Sequence, residues 1–349
     1  MSEVVFRTLP FAQCADVVAA FRNSQREAQR DAGYFDWRYS RRPSGLPAYV
    51  TLGFDAGGTA VAAASLIPHD FLVAEVPVKA GMIGDVSVSA SMRGKGLAAR
   101  LLAQLRDDAF ARGLDACFVL PNAELTGALT RTGFEHVGAI RRAIRVLGLR
   151  GRLTQKLGPV GGLAGALIDG LWRTAGHLAD GQLPDRFGTA EPTAFDARYD
   201  ALWARLPKAD TALAVRDSTW LGWRFAAKPG GRYRLFELTR GAELAGYVVH
   251  HAEPGLVYVD DFLAADLEAA QLLGRAFASA ARAGRWADSI QIRYVEQAGD
   301  PAAGHSTLAV PFSGGGYHWR ADSQAVMWTA TDRVPQPRHW YVTPADKDV

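Results

Sequence analysis

Apolar and polar positions fall into a strand–turn–strand order that occurs twice along the chain. In the first half, Ala48–Gly53 and Ala60–Leu66 read as strands around the turn Asp55-Ala56-Gly57-Gly58. In the second, Tyr233–Leu238 and Glu243–His250 do so around Arg240-Gly241. A short aromatic motif precedes each pair. Phe35-Asp36-Trp37-Arg38-Tyr39 leads to Pro43 and Gly45, and Leu221-Gly222-Trp223-Arg224-Phe225 leads to Pro229 and Gly231. Each pair of positions is 186 residues apart. One offset shared by two motifs, followed by the same element order, indicates an internal duplication.

Each half continues in parallel. After an apolar strand at Gly81–Ser89 and a glycine turn, Leu97, Ala98, Leu101, Leu102, Leu105 and Ala109 fall on one face of a helix running to Arg112. A buried strand at Ala116–Leu120, a short helix from Asn122 and a strand opened by Gly133-Phe134 follow. The second half offers strands at Leu256–Leu263 and Ser289–Tyr294 around a helix at Leu267–Ala283. The pattern predicts a mixed α/β fold of two domains, 1–147 and 193–349, with 148–192 as a glycine-rich linker holding one helix near Ala166–Leu178.

Within that linker, Leu157–Leu171 is the most apolar run, but Pro159, five glycines and Asp169 interrupt it. A spanning helix needs about 20 predominantly apolar residues. The segment therefore reads as a linker packed on the protein, with a surface-seeking amphipathic helix as the other reading. The N-terminus lacks a signal-peptide core. Lys+Arg at 39 against Asp+Glu at 36 is too even to predict a nucleic-acid partner. Two cysteines, Cys14 and Cys117, make no disulfide framework and suit a reducing cytoplasm. Eight scattered histidines show no metal spacing, so no metal is expected. A cytoplasmic chain with neither a membrane nor a nucleic-acid partner, as monomer or homodimer, is the expectation.

The segment Asp85-Val86-Ser87-Val88-Ser89-Ala90-Ser91-Met92-Arg93-Gly94-Lys95-Gly96-Leu97-Ala98 runs from strand through turn to helix. Amides at a helix start have no intrahelical partner, and the helix dipole adds positive potential there. Glycines let the backbone close around a bulky anion, and Arg93, Lys95 and Arg100 add charge. Three readings compete. One is a plain turn with solvated basic residues. Another is a dinucleotide fingerprint, because Gly94-x-Gly96-x-x-Ala99 fits G-x-G-x-x-G/A. That pattern should open a βαβ unit and be followed by an acidic residue at the next strand's end, where this chain has Leu120-Pro121-Asn122.

The third reading rests on a resemblance. Arg93-x-x-Gly96-x-Ala98 resembles the pyrophosphate-binding signature of the GNAT superfamily of acyl-CoA-dependent N-acyltransferases. Its setting, with Pro121-Asn122 and Gly133-Phe134 downstream, is similar too. More narrowly, Trp37, Asp85, Trp223 and Trp340-Tyr341 resemble a bacterial group of tandem GNAT-like proteins with a degenerate second copy. The resemblance implies a sheet that splays after its fourth strand to admit the pantetheine arm of an acyl-CoA, acetyl-CoA being the default. Backbone groups of Val86 and Val88 would bond the pantetheine amides. Amides of Arg93, Gly94, Lys95, Gly96, Leu97 and Ala98 would hold the pyrophosphate. The acceptor would be a small-molecule amine. The second half reads Ala264-Ala265-Asp266-Leu267-Glu268 at the corresponding turn, with carboxylates where phosphates would lie, so one acyl-CoA site per chain is expected.

Acyl transfer to an amine that is protonated at neutral pH needs a base, and an acid for the leaving thiolate. Asp85, eight residues before Arg93, is the first candidate base; capping a backbone amide is its alternative role. Glu124 is a second, although a carboxylate in a first helical turn ordinarily serves the helix dipole. Asn122 could bond cofactor or water, or cap its helix. Leu129 stands where many GNAT enzymes have a Tyr, so either Tyr34, Tyr39 or Tyr317 supplies the proton or the thiolate leaves unassisted. The rival is a catalytically silent acyl-CoA-binding module. Trp37 and Trp223 read as core posts, His69 as a residue that could face the acceptor, and Pro344–Val349 as a loose polar tail.

Overall fold

The computed structural model describes residues 4–25, 29–180, 182–296, 312 and 316–347. In chain order its first half comprises β1 (Val5–Pro10), α1 (Ala15–Ser24), α2 (Ala32–Tyr39), β2 (Tyr49–Phe54), β3 (Ala60–Val73), β4 (Val76–Val88), α3 (Leu97–Ala111), β5 (Ala116–Val119), α4 (Ala123–Arg131) and β6 (Glu135–Val146). Then come α5 (Arg150–Asp180), β7 (Phe187–Ala190), α6 (Ala197–Arg205), β8 (Thr211–Ala214) and α7 (Ser218–Leu221), which runs on as one π turn. The remainder is β9 (Arg234–Arg240), β10 (Glu243–Glu253), β11 (Leu256–Ala264), α8 (Leu267–Ala283), β12 (Ser289–Glu296), β13 (His318–Ala330) and β14 (His339–Tyr341).

Among the described residues these strands join one sheet with the order β1-β2-β3-β4-β5-β13-β6-β12-β11-β10-β9-β7. Neighbours run antiparallel except β4 with β5 and β11 with β12. The middle of the path joins the two halves strand by strand. β13, from late in the chain, lies between β5 and β6, with Trp328 opposite Phe118 on one side and Glu135 on the other. β6 in turn pairs with β12, Ser289 opposite Val146. The fold is a mixed α/β sheet with helices on its faces, as the hydrophobic pattern predicts.

Local chemistry explains the elements that position the site. Asp55 Oδ1 accepts the Gly57 and Thr59 amides at 3.0 and 2.9 Å, closing the β2–β3 hairpin. α3 buries Leu97, Leu101, Leu102, Leu105 and Ala109 against one face of the sheet. Opposite, α1 and α2 add Val18, Phe21, Tyr34, Phe35, Trp37 and Tyr39 to the larger core. Cys117 is fully buried in β5, and burial pushes its thiol up to about 12, an inert core group.

Two segments differ from the sequence expectation. The glycine-rich 148–192 stretch is helical over α5, much longer than Ala166–Leu178, and breaks only at Gly158 (φ 65°, ψ −153°), ahead of Pro159. Glycine lowers helix propensity by about 1 kcal/mol without forbidding it, and only Gly158 adopts a non-helical conformation. The tail Pro344–Asp346 is a buried 3₁₀ turn rather than loose chain; Ala345 is 2% and Asp346 0% exposed. Its polar residues are paired inside: Asp346 Oδ2 accepts from Arg216 Nη2 at 2.6 Å, and Arg224 Nε donates to the Ala345 carbonyl at 2.8 Å. Val349 lies outside the described residues.

Candidate active site

β4 and β5 are paired only over Ala80–Met82 and Ala116–Phe118. Beyond Met82, β4 keeps β3 on one side and, among the described residues, has no partner strand on the other. Ser89 N donates to Val61 O of β3 at 2.9 Å. Because successive backbone groups alternate along a strand, the amides and carbonyls of Val86 and Val88 point away from β3, into the gap toward β5. Arg93 Nε reaches the Val88 carbonyl in that gap at 3.2 Å. The two valines thus have the orientation that an extended ligand lying beside β4 requires.

A bulge sits at the mouth of the gap. The β3–β4 register shifts between Ala63 and Ser65, and Asp85 takes φ 52°, a left-handed conformation within a strand. Aspartate tolerates this region better than most residues. The bulge directs the Asp85 side chain to the face covered by α1 and α2, opposite α3. There Arg38 Nε meets Asp85 Oδ2 at 2.9 Å, both side chains 5% exposed or less, and the Tyr39 hydroxyl donates to the same oxygen. Tyr39 also touches Ser65 Oγ at 3.0 Å, and Arg22 donates to Ser65 and Ser87, each at 3.0 Å. Burial, then the Asp85 charge, raise the Tyr39 phenol above its ordinary value, so it stays protonated. Burial is the largest single influence on Arg38 and opposes its charge, but Asp85, Tyr39 and Tyr34 together outweigh it and the guanidinium is held above its usual range.

Ahead of α3, Gly94 and Gly96 have φ 73° and 72°, and a Cβ on either would point into open space. Glycine is required by conformation rather than by crowding. Arg93, Gly94, Lys95 and Gly96 are exposed, Leu97 is buried and Ala98 half-buried. Gly96 caps α3 without a side-chain acceptor. Among the described residues no backbone carbonyl accepts the Gly94, Lys95 or Gly96 amides, and the first helical amides, Leu97 and Ala98, are orphaned by geometry. Lys95 Nζ folds back on the Ser91 carbonyl at 3.0 Å. The turn therefore offers a row of donors at a positive helix end, an anion site of about one diphosphate's reach.

The remaining candidates separate. Asn122 Oδ1 accepts the Leu125 amide at 3.0 Å and caps α4, so its side chain is committed to the helix start. Glu124 is exposed in the first turn of α4. Leu129 is fully buried in the core under α3. Tyr317 packs on Phe312 in the second half and donates to Gly274 O at 3.5 Å, far along the sheet from Asp85. His69 is 4% exposed; burial and then the Arg42, Arg216 and Arg224 charges keep it well below its usual value, hence neutral. Sequence reasoning missed Arg38 and Arg22 as partners of this network. The repeated Trp-Arg-aromatic motif marked Arg38, but only the fold brings it to Asp85.

The second half has a matching gap with different contents. β11 and β12 pair over Leu256–Val259 and Ser289–Ile292 and then part. Between their ends runs the chain's own C-terminal segment. Val295 N donates to Val342 O at 2.9 Å, the Tyr341 hydroxyl donates to the Phe262 carbonyl, and Thr343 Oγ1 to Asp261 Oδ1 at 2.7 Å. The start of α8 is capped by its own Asp266, which accepts the Ala269 amide at 2.8 Å. Arg240 and Arg186 hold Asp266 and Glu268 in place. This gap is closed to an anionic ligand.

Residues 7–137 match the family model of the acetyltransferase (GNAT) domain. No curated protein sequence matches the chain. Among solved structures, a probable N-acyltransferase from Enterococcus faecalis is similar at TM-score 0.64 and 11% identity, over 95% of this chain and 73% of that one. A GCN5-related N-acetyltransferase from Anabaena variabilis gives 0.61 and 10%, over 93% and 72%. Eis1 from Mycobacterium abscessus gives 0.57 and 15%, over 94% and 74%. At these identities the structures speak to fold alone. Residues 7–137 are thus similar to a GNAT acetyltransferase domain, within a GNAT-like mixed α/β fold that spans nearly all of the chain.

Proposed function

We propose that the protein is an acyl-CoA-dependent N-acyltransferase with one active site, in the gap between β4 and β5. The observation that carries this reading is the unpaired edge of β4 leading into the open glycine turn. Val86 and Val88 would bond the pantetheine amides as a neighbouring strand would. The amides from Arg93 to Ala98 would take the pyrophosphate. Acetyl-CoA is the default donor and a small-molecule amine the acceptor. In this reading the second half is a degenerate copy of the first, each half lending a strand to the other, and its own gap is filled by residues 341–343.

The chemistry follows from the positions. Asp85, at the bulge of β4, would take the proton of the bound amine directly or through water. The neutral amine then attacks the thioester carbonyl, and an amide on the splayed edge of β4 meets the developing oxyanion. No cysteine lies at the turn, so the amine attacks the thioester directly. Tyr39, protonated and bonded to Asp85, is the candidate phenol beside the base, and it would answer the absence of a donor at Leu129. A catalytically silent acyl-CoA-binding module is the second reading, favoured by the neutralisation of Asp85 by Arg38.

Thiol release from acetyl-CoA, measured against a panel of amines, decides between them. Turnover in the wild type and its loss of at least a hundredfold in Asp85→Asn, with CoA affinity retained, is the expected result. CoA binding without release for any amine would leave the silent module, and no CoA binding would end both.

A further inference from the structure

Twelve consecutive residues of α5, Leu157 to Ile168, have no charged or hydrogen-bonding side chain. They nevertheless lie at the surface. Leu157, Val160, Leu163 and Leu167 are 65, 76, 71 and 74% exposed. After the break at Gly158, positions 160, 163, 164 and 167 share one helical face. The opposite side is held down. Gly161 and Gly165 are buried, and a Cβ on Gly161 would fall 2.2 Å from the Leu153 carbonyl oxygen, so the two segments of α5 cross in backbone contact. That crossing fixes the apolar stripe facing outward.

The sequence leading into the stripe is basic: Arg150, Arg152 and the exposed Lys156 precede it, and no acidic residue occurs between Arg150 and Asp169. Exposed Arg285 lines the same cavity as Ala166, beside the stripe, where Arg282 and Arg285 face Asp169 and Asp288. Specific protein interfaces bury roughly 800 Å² per partner, drawn from about 20–30 residues. One stripe of four large side chains falls well short of that. It is also too short to cross a bilayer, and no helix among the described residues is long and apolar enough to do so. An apolar stripe rimmed by lysine and arginine suits a helix lying in the headgroup layer of an anionic bilayer.

We infer that the 157–167 stripe of α5, with Lys156 and Arg285 beside it, docks the protein on an anionic phospholipid surface. This goes beyond the proposed reaction and takes up the second sequence reading of the segment, a surface-seeking amphipathic helix. The leucines and valine enter the acyl boundary while the basic residues meet the headgroups, so attachment weakens as salt rises.

Co-sedimentation of the full chain with vesicles tests it. The protein is expected to pellet with vesicles of equal parts phosphatidylglycerol and phosphatidylcholine, and at least tenfold less with phosphatidylcholine alone. The double variant Leu163→Ser/Leu167→Ser is expected to lose binding at least tenfold while keeping the wild-type thermal shift with CoA, which reports an intact fold; Lys156→Glu is expected to weaken binding severalfold. Wild-type protein that stays in the supernatant with anionic vesicles overturns the inference. So does light scattering showing a wild-type dimer that the double variant converts to monomer, since the stripe would then cover a second copy of the chain.

Discussion

Trp37 and Trp223 bind each other twice: the indole of each donates to the backbone carbonyl of the other, at 2.8 and 3.0 Å. Their rings stack with centroids 5.3 Å apart and planes 18° from parallel. Arg42 lies over the Trp223 ring at 4.3 Å, and Lys228, at the same 186-residue offset, over the Trp37 ring at 5.8 Å. Reciprocal contacts of this kind are what the proposed duplication would produce. The two tryptophans are expected to contribute alike. Replacing either by Phe strands one buried carbonyl, at a cost of about 1–3 kcal/mol. Denaturant unfolding should show similar losses for Trp37→Phe and Trp223→Phe, and a double variant that loses less than their sum. A loss confined to one of the two would argue against the paired arrangement.

Arg38 neutralises Asp85 in a place with almost no solvent. Removing one member of such a pair strands a buried charge, at about 3–5 kcal/mol. Arg38→Ala is expected to lose stability on that scale. Arg38→Ala combined with Asp85→Asn should recover part of it, because no bare carboxylate remains. Equal stability of wild type and Arg38→Ala in thermal unfolding would show that the contact holds nothing together.

Arg93 and Gly96 test the anion turn separately from the fold. Arg93 is exposed, and Arg93→Glu is expected to change stability by less than about 0.5 kcal/mol while weakening CoA binding at least tenfold. Gly96→Ala forces an L-residue to φ 72° at about 1–2 kcal/mol, and the turn should lose its ligand before α3 unfolds. Unchanged calorimetric affinity in both variants would remove the diphosphate from this turn.

His250 and His251 give stability opposite dependences on pH. His250 is 1% exposed, stacked on Trp286 at 4.9 Å, and burial holds it down to about 3. The unfolded chain binds a proton at this histidine below pH 6.5 whereas the folded chain does not until about pH 3, so its effect is a fall in stability across that window. His251 is raised chiefly by its bond to Asp260. Its contribution is full below the unfolded value and lost as pH rises through the folded one. His250→Phe, which keeps the ring stack and removes a base with neither nitrogen hydrogen-bonded, is expected to flatten the acid limb of a stability–pH curve. His251→Gln should flatten the neutral limb. An acid limb unchanged in His250→Phe would place the acid sensitivity elsewhere.

Much of this was legible in the sequence, for reasons that differ by element. α8 occupies Leu267–Ala283, the bounds that the sequence pattern predicted, and its Asp266 cap came only with the structure. The strand-to-glycine-turn-to-helix order from Asp85 to Ala98 was equally clear, because its geometry is local. β13 between β5 and β6 was not, since a strand's periodicity says which faces are buried but not which strands it joins. The tail was misread for a related reason. Pro344-Ala345-Asp346-Lys347 is polar in composition, and its burial depends on Arg216 and Arg224, more than 100 residues earlier. Likewise the Arg38–Asp85 contact joins a helix motif to a strand bulge, and only the alignment of α2 over β4 makes them partners.

The central claim is that one acyl-CoA lies along the free edge of β4. A crystal structure of the protein grown with CoA measures this directly. The account predicts a single CoA per chain, its pantetheine amides on Val86 and Val88 and its pyrophosphate on the amides between Arg93 and Ala98. CoA between β11 and β12 in place of residues 341–343, or an empty β4 edge with CoA bound elsewhere, would contradict it.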